Sequence, residues 1–284
     1  MNMKVTPISL ALGAEVRGID LASPLTPEEI SEVRAALLQY QVLFFREQAL
    51  TPASHSRCAR YFGSVECHQA YPHAEGYPEV TVMDWGPENR SKIDSWHADL
   101  TFRSAPPLGS ILHCAICPEI GGDTLWASMS AAYEGLSDRW KRFLGGLEAV
   151  HDLAWGFKDT RSEDGGHEKL RPMLDTYPPV RHPVVVEHPE SGRLGLYVNS
   201  VFTTHIVGMS PLESRYVLGY LYEHIAQQEF SCRFRWEKNS VAFWDNRITQ
   251  HRPVNDYWPA RRQMRRVVVS GQPPEAPGIV SEVT

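Results

Sequence analysis

The sequence has no apolar run long enough to cross a bilayer, and its first residues, Met1-Asn2-Met3-Lys4-Val5, lack the apolar core of a secretory signal. Dense Lys/Arg runs are missing outside the last fifty residues, and the formal charge is −6. This argues against a nucleic-acid surface and leaves room for a local anion pocket. Cysteine is sparse. Cys58, Cys67, Cys114, Cys117 and Cys232 are an odd set without the spacing of a disulfide framework. Cys114-Ala115-Ile116-Cys117 has the C-x-x-C form but ends an apolar run that starts at Ile111 and predicts a buried strand. With no second cysteine pair and no evident low-pKa thiol, neither zinc nor redox chemistry is expected there. All five are expected to be reduced thiols of a cytoplasmic protein. No internal repeat or linker divides the chain, so residues 1–284 are expected to form one domain.

Helix starts are marked by Thr26-Pro27-Glu28-Glu29, Thr51-Pro52 and Ser210-Pro211, each a capping residue followed by proline at the first helical position. A helical block is predicted from about 128 to 147, from the spacing of Tyr133, Leu136, Trp140 and Leu144. Strands are predicted at Val42–Phe45, Val80–Met83, Ser110–Cys117, Val184–Val186, Leu194–Val198, Cys232–Trp236, Val241–Trp244 and Met264–Ser270. Residues 67 to 79 read as a loop, 158 to 175 as a polar insertion or lid, and the tail after Gln272 as loose. Many short strands with a few inserted helices predict a mainly β fold, a barrel or double-sheet jelly roll clad by helices.

Chemistry is concentrated in Trp96-His97-Ala98-Asp99-Leu100-Thr101-Phe102. In a strand, residues two apart share a face, so His97 and Asp99 can converge on one point. Alone, His-x-Asp is also an ordinary polar pair at a strand end. With a second His it would complete a two-His-one-carboxylate face that leaves positions open on Fe(II). Phe243-Trp244-Asp245-Asn246-Arg247-Ile248-Thr249-Gln250-His251 ends a strand in a polar turn that presents His251. Further on, Arg262, Met264 and Arg266 share one face of an extended segment. Two inward arginines are costly unless each meets an anion. A solvated basic edge strand is the alternative. A zinc hydrolase could use the same three ligands, and a non-catalytic jelly roll would need none of them.

These motifs, with Gly121-Gly122-Asp123-Thr124-Leu125-Trp126, make the chain similar to the taurine dioxygenase family of Fe(II)/2-oxoglutarate-dependent oxygenases, from Gly13 to Arg266. The resemblance implies a double-stranded β-helix core and Fe(II) held by His97, Asp99 and His251. It further implies 2-oxoglutarate held by Thr124 and Arg262, O2 as co-substrate, and a small anionic substrate met by Arg266, His68, Tyr71, Phe157 and Phe202. Homo-oligomers are expected, with no nucleic-acid or membrane partner. The implied reaction hydroxylates the carbon next to the sulfonate of taurine or a related compound, releasing sulfite and an aldehyde. Alkyl sulfate esters and aryloxyalkanoates are alternatives. Two positions depart from the taurine pattern: Ile93 replaces an Asn, and Gly156 replaces a Ser.

Overall fold

The structure, a computed structural model, describes residues 3–67 and 71–278. Two strands open the chain, β1 (Lys4–Pro7) and β2 (Ala14–Arg17). Helix α1 (Pro27–Tyr40) starts where its cap predicts: the Thr26 hydroxyl accepts from the Glu29 N–H while the Glu29 carboxylate accepts from the Thr26 N–H. Strand β3 (Val42–Phe45) follows, then α2 (Pro52–Arg60), capped the same way by Thr51 and Ser54. Strand β4 (Val65–Glu66) follows, and the stretch expected as loop, 67 to 79, contains β5 (His73–Ala74) and the start of the long β6 (Tyr77–Trp85). Strands β7 (Gly109–Ile116) and β8 (Thr124–Ser128) come next.

The expected helical block is two short helices, α3 (Met129–Glu134) and α4 (Asp138–Leu144). The break falls at Gly135, and Ser137 caps the second helix through the Trp140 N–H. After β9 (Glu148–His151) come α5 (Leu153–Gly156), α6 (Lys158–Arg161) and α7 (Gly166–Thr176). The segment expected as a polar insertion or lid, 158–175, thus carries α6 and most of α7, joined by a turn. Leu170 and Met173 lie three apart on α7, and both are buried. Strands β10 (Val180–Pro183), β11 (Val185–Glu187), β12 (Leu194–Leu196) and β13 (Thr203–Ile206) precede α8 (Pro211–Ile225). The chain then forms β14 (Ser231–Phe234), β15 (Val241–Asp245), β16 (Thr249–Pro253) and β17 (Arg262–Val269). The tail is tied down as far as Glu275, whose carbonyl accepts from the Glu187 N–H at 3.0 Å.

The main sheet runs β1-β2-β3-β15-β7-β17-β6-β5, with β4 also paired to β17; β2–β3 is parallel and the other pairs are antiparallel. A smaller sheet, β14-β8-β16, shares an apolar core with it, built from Phe44, Trp126, Phe234, Trp236, Trp244 and Met264. On the other face, α1 and α2 pack over Leu43, Phe45, Phe243 and Val267. Covering on both faces explains why β3 is uniformly apolar: Phe44 belongs to one core, Leu43 and Phe45 to the other.

Three buried imidazoles tie this framework to pH. Burial, with His113 adding repulsion, pushes His55 down to about 3. Burial likewise lowers His113 to about 4, and burial plus His182 lowers His151 to about 3. An unfolded His titrates near 6.5, so below that pH the unfolded chain binds more protons and stability falls. The stabilisation is complete above pH 6.5. At pH 5 each group costs up to about 2 kcal/mol. Calorimetry is expected to show a lower thermal midpoint at pH 5 than at pH 7.5; equal midpoints would contradict neutral burial.

Candidate active site

His97, Asp99 and His251 are all buried, and one ligand atom from each lies within 4.8 Å of the others. A regular strand does not bring this about. His97 makes a single β-bridge to His251, with N–H donated in both directions at 3.0 and 2.8 Å. The chain then turns, with Leu100 at φ 54°, so Asp99 lies in a turn, contrary to the strand expected. His251 also departs from expectation, because it sits in the middle of β16 and not in the turn after β15.

The turn is held from several sides. The Asn246 side chain accepts from the Asp99 N–H at 2.7 Å and donates to the Asp99 carbonyl at 2.9 Å. The Asn199 amide donates to the Thr101 hydroxyl at 3.0 Å, and His151 Nδ1 lies 2.9 Å from the same oxygen. His182 Nε2 reaches the Thr101 and Arg103 carbonyls at 2.9 and 3.0 Å. Sequence reasoning missed these supports because the partners lie 50 to 147 residues away.

Protonation is set by the same surroundings. His97 Nδ1 is 2.9 Å from the Ser95 carbonyl, which places the ring proton there and leaves Nε2 for a ligand. Burial lowers the pKa of His97, and burial with repulsion from His97 lowers His251 to about 3. Burial alone would raise Asp99, but Arg266, His251, His97 and Ser110 outweigh it and hold the carboxyl well below the usual range. Two neutral imidazoles beside an ionised carboxylate are the state a divalent cation requires. Arg266 Nη1 donates to Asp99 Oδ1 at 2.8 Å, and the Ser110 hydroxyl donates to Oδ2 at 3.1 Å. Burial raises the Tyr71 pKa, and both Arg266 and Asp99 are near enough to act on it.

A second guanidinium lies deeper. Arg262 is only 4% exposed, and among the described residues its Nε and Nη2 have no hydrogen-bond partner. The rings of Trp236 and Tyr257 flank it at 5.8 and 5.7 Å. Trp236 also donates its indole N–H to the Thr124 hydroxyl at 3.0 Å. An indole only donates, so the Thr124 hydroxyl proton is left for another acceptor. The turn before β8 closes tightly on this group: Gly122 has φ 74°, and a Cβ there would lie 3.2 Å from Arg262 Cδ. A buried cation with open donors and a hydroxyl with a free proton are groups that a carboxylate would satisfy. Nothing in the sequence pointed to Trp236.

The inward faces of Arg262, Met264 and Arg266 are as expected, all three being buried on β17 while Gln263 and Arg265 are half-buried. Phe157 and Phe202 lie in one apolar cluster with Leu100 and Phe102, directly after Asp99. His68 falls outside the described residues. The Gly156 departure has a steric cause, since a Cβ there would sit 2.5 Å from the Phe202 ring. Gly156→Ser is expected to displace that ring and destabilise the protein by about 1–3 kcal/mol in denaturant titration. An unchanged unfolding midpoint would show that Phe202 has room to move.

Two buried histidines and a buried carboxylate within reach of one cation, with a buried guanidinium nearby that carries open donors, fit a 2-oxoglutarate-dependent dioxygenase. Residues 4–268 match the taurine catabolism dioxygenase TauD, TfdA family. The chain belongs to this family of Fe(II)/2-oxoglutarate-dependent dioxygenases. It is 37% identical over 275 residues to an alkylsulfatase of Acinetobacter baylyi, covering 95% of this chain and 86% of that one. It is 34% identical over 280 residues to an alpha-ketoglutarate-dependent sulfate ester dioxygenase of Pseudomonas putida, covering 96% and 91%. Among solved structures, a taurine dioxygenase from Burkholderia xenovorans superposes with a TM-score of 0.84 at 37% identity, over 97% of this chain and 91% of that one. AAD-2 in complex with Mn(II) and N-oxalylglycine gives 0.82 at 31% identity, over 96% and 99%. Among the described residues, no helix is long and apolar enough to cross a membrane.

Proposed function

We propose that this enzyme oxidises the carbon attached to the sulfur oxyanion group of a small aliphatic substrate, with alkyl sulfate esters favoured over taurine. The observation that carries this reading is Arg266, a buried guanidinium 2.8 Å from the Asp99 carboxylate, which puts an anion anchor beside the metal face. His97, Asp99 and His251 hold Fe(II), since two imidazole nitrogens and a carboxylate oxygen are a donor set that suits it. Arg262 and Thr124 hold the distal carboxylate of 2-oxoglutarate. N-oxalylglycine, found with Mn(II) in AAD-2, is a diacid of the same length. Bound Fe(II), with 2-oxoglutarate and O2, supplies the oxidising power, and 2-oxoglutarate leaves as succinate and CO2.

The chain's own residues do the positioning. Arg266 grips the anionic end and so decides which carbon faces the metal. Tyr71 stands next to that grip, with His68 assigned to the same pocket. Phe157 and Phe202 wall the approach with apolar surface, and α6 and α7 close over it as a lid that excludes water. The two facing sheets are taken as a jelly-roll core and residues 1–284 as one domain. Hydroxylation next to the ester oxygen gives an unstable adduct that collapses to an aldehyde and sulfate.

Ile93 and the similarity to sulfate-ester enzymes favour the ester, because an apolar side chain gives no partner to an ammonium group. A taurine-type sulfonate is the second reading, favoured by the likeness to the Burkholderia taurine dioxygenase. Incubation with Fe(II), ascorbate and 2-oxoglutarate, plus hexyl sulfate or taurine, separates them. Equal succinate and sulfate from hexyl sulfate is the expected result. Sulfite from taurine without sulfate from the ester would reverse the order, and succinate without either would reject both substrates.

A further inference from the structure

The C-x-x-C motif was expected to be inert, and its setting in the fold says otherwise. In a regular strand, residues three apart point to opposite faces. Strand β7 is irregular here: Cys114 pairs with Met264, but Ile116 pairs with Gln263, so one extra residue is inserted. The bulge brings the side chains of Cys114 and Cys117 within hydrogen-bond reach of each other, and both lie near enough to Arg262 to act on its charge. Cys114 is fully buried, whereas Cys117 is partly exposed. The Cys117 thiol also lies 3.4 Å from the carbonyl of Trp236, the residue whose ring touches Arg262 and whose indole binds Thr124.

We infer that Cys117 is a covalent modification site for small-molecule disulfides, and that its adduct weakens binding at the neighbouring Arg262. The inference rests on Arg262 being the 2-oxoglutarate anchor. The Cys117 sulfur attacks one sulfur of the disulfide, losing its proton to solvent. A protein–S–S bond forms as the original S–S bond breaks, and the displaced thiolate leaves with the electron pair. Cys117 is oxidised and the small disulfide is reduced.

The local chemistry favours this sulfur over the others. A hydrogen bond from Cys114 lowers the Cys117 pKa, and Arg262 lowers it further; partial burial, Asp123 and Glu237 oppose them, and the result is about 7. Cys114 itself is pushed far up by the same hydrogen bond and by burial. Burial pushes Cys58 and Cys232 up to about 12. Cys67 is exposed and would react on access alone, so the test removes it.

The full chain carrying Cys67→Ser is treated with hydroxyethyl disulfide with and without 2-oxoglutarate. Adducts are located by peptide mass, and 2-oxoglutarate affinity is then measured calorimetrically with Fe(II) under anaerobic conditions. A single adduct at Cys117 is expected, slowed several-fold by saturating 2-oxoglutarate and weakening its binding about tenfold or more. Adding Cys117→Ser should make that affinity indifferent to the reagent. An unmodified Cys117, or an adduct that leaves affinity unchanged, would overturn the inference. Arg262→Leu keeps the two claims apart: normal 2-oxoglutarate binding in that variant defeats the anchor assignment, while the reactivity of Cys117 is read by mass alone.

Discussion

Asp99→Ala is expected to abolish metal retention and lower turnover on the order of 1,000-fold, beyond the 10–100-fold typical of losing a ligand's supporting partner. The carboxylate is the only negatively charged member of the His97–Asp99–His251 set, and it is kept ionised by Arg266. Its removal leaves two neutral imidazoles and, worse, a buried cation. Arg266 donates to Asp99 at 2.8 Å, and among the described residues its Nε has no partner. Breaking such a pair from one side typically costs about 3–5 kcal/mol. The variant should therefore lose both metal and thermal stability. Asp99→Asn keeps the shape and should spare more of the stability than of the activity. Metal content after anaerobic loading with Fe(II) and dialysis, set beside a thermal scan, checks both. Wild-type metal content in Asp99→Ala would refute the ligand assignment.

Arg262→Leu is expected to act in the opposite sense on stability. In the wild type, Arg262 is buried with two nitrogens unpartnered, and burial depresses its pKa. Replacing it with an apolar side chain removes a desolvated charge, so the protein without 2-oxoglutarate should melt at a higher temperature. The cost falls on the co-substrate. Two charge-assisted hydrogen bonds to a carboxylate are together worth about 3 kcal/mol, which is roughly a 100-fold rise in KM for 2-oxoglutarate. At saturating 2-oxoglutarate, kcat should change far less. A KM within about threefold of wild type would remove Arg262 from the co-substrate site. Both outcomes together would make Arg262 an example of function opposing stability.

The buried imidazoles, Gly156 and the C-x-x-C pair each show where linear reasoning stops. Caps at Thr26, Thr51 and Ser210 were legible because each stands directly before a proline and acts through local backbone geometry. The inward row Arg262-Met264-Arg266 was legible because strand periodicity is local too. The helices within residues 158–175 were not legible because polarity masked the spacing of Leu170 and Met173, the buried side of α7. The break between α3 and α4 was missed because a helical spacing of apolar residues carries across Gly135 and Ser137.

By itself, the sequence determined which groups could do the chemistry: His97, Asp99, His251 and two inward arginines, with strands and helices largely where their caps and apolar runs put them. Tertiary structure alone decided how those groups meet. Asp99 is aimed by a left-handed turn at Leu100 that Asn246, His151 and Asn199 hold from distant parts of the chain, and not by strand alternation. Their protonation, the open donors of Arg262 and the facing of Cys117 also depend on what is packed around each group. Desolvation and charge pairing act through space, between residues whose separation along the chain says nothing of their distance.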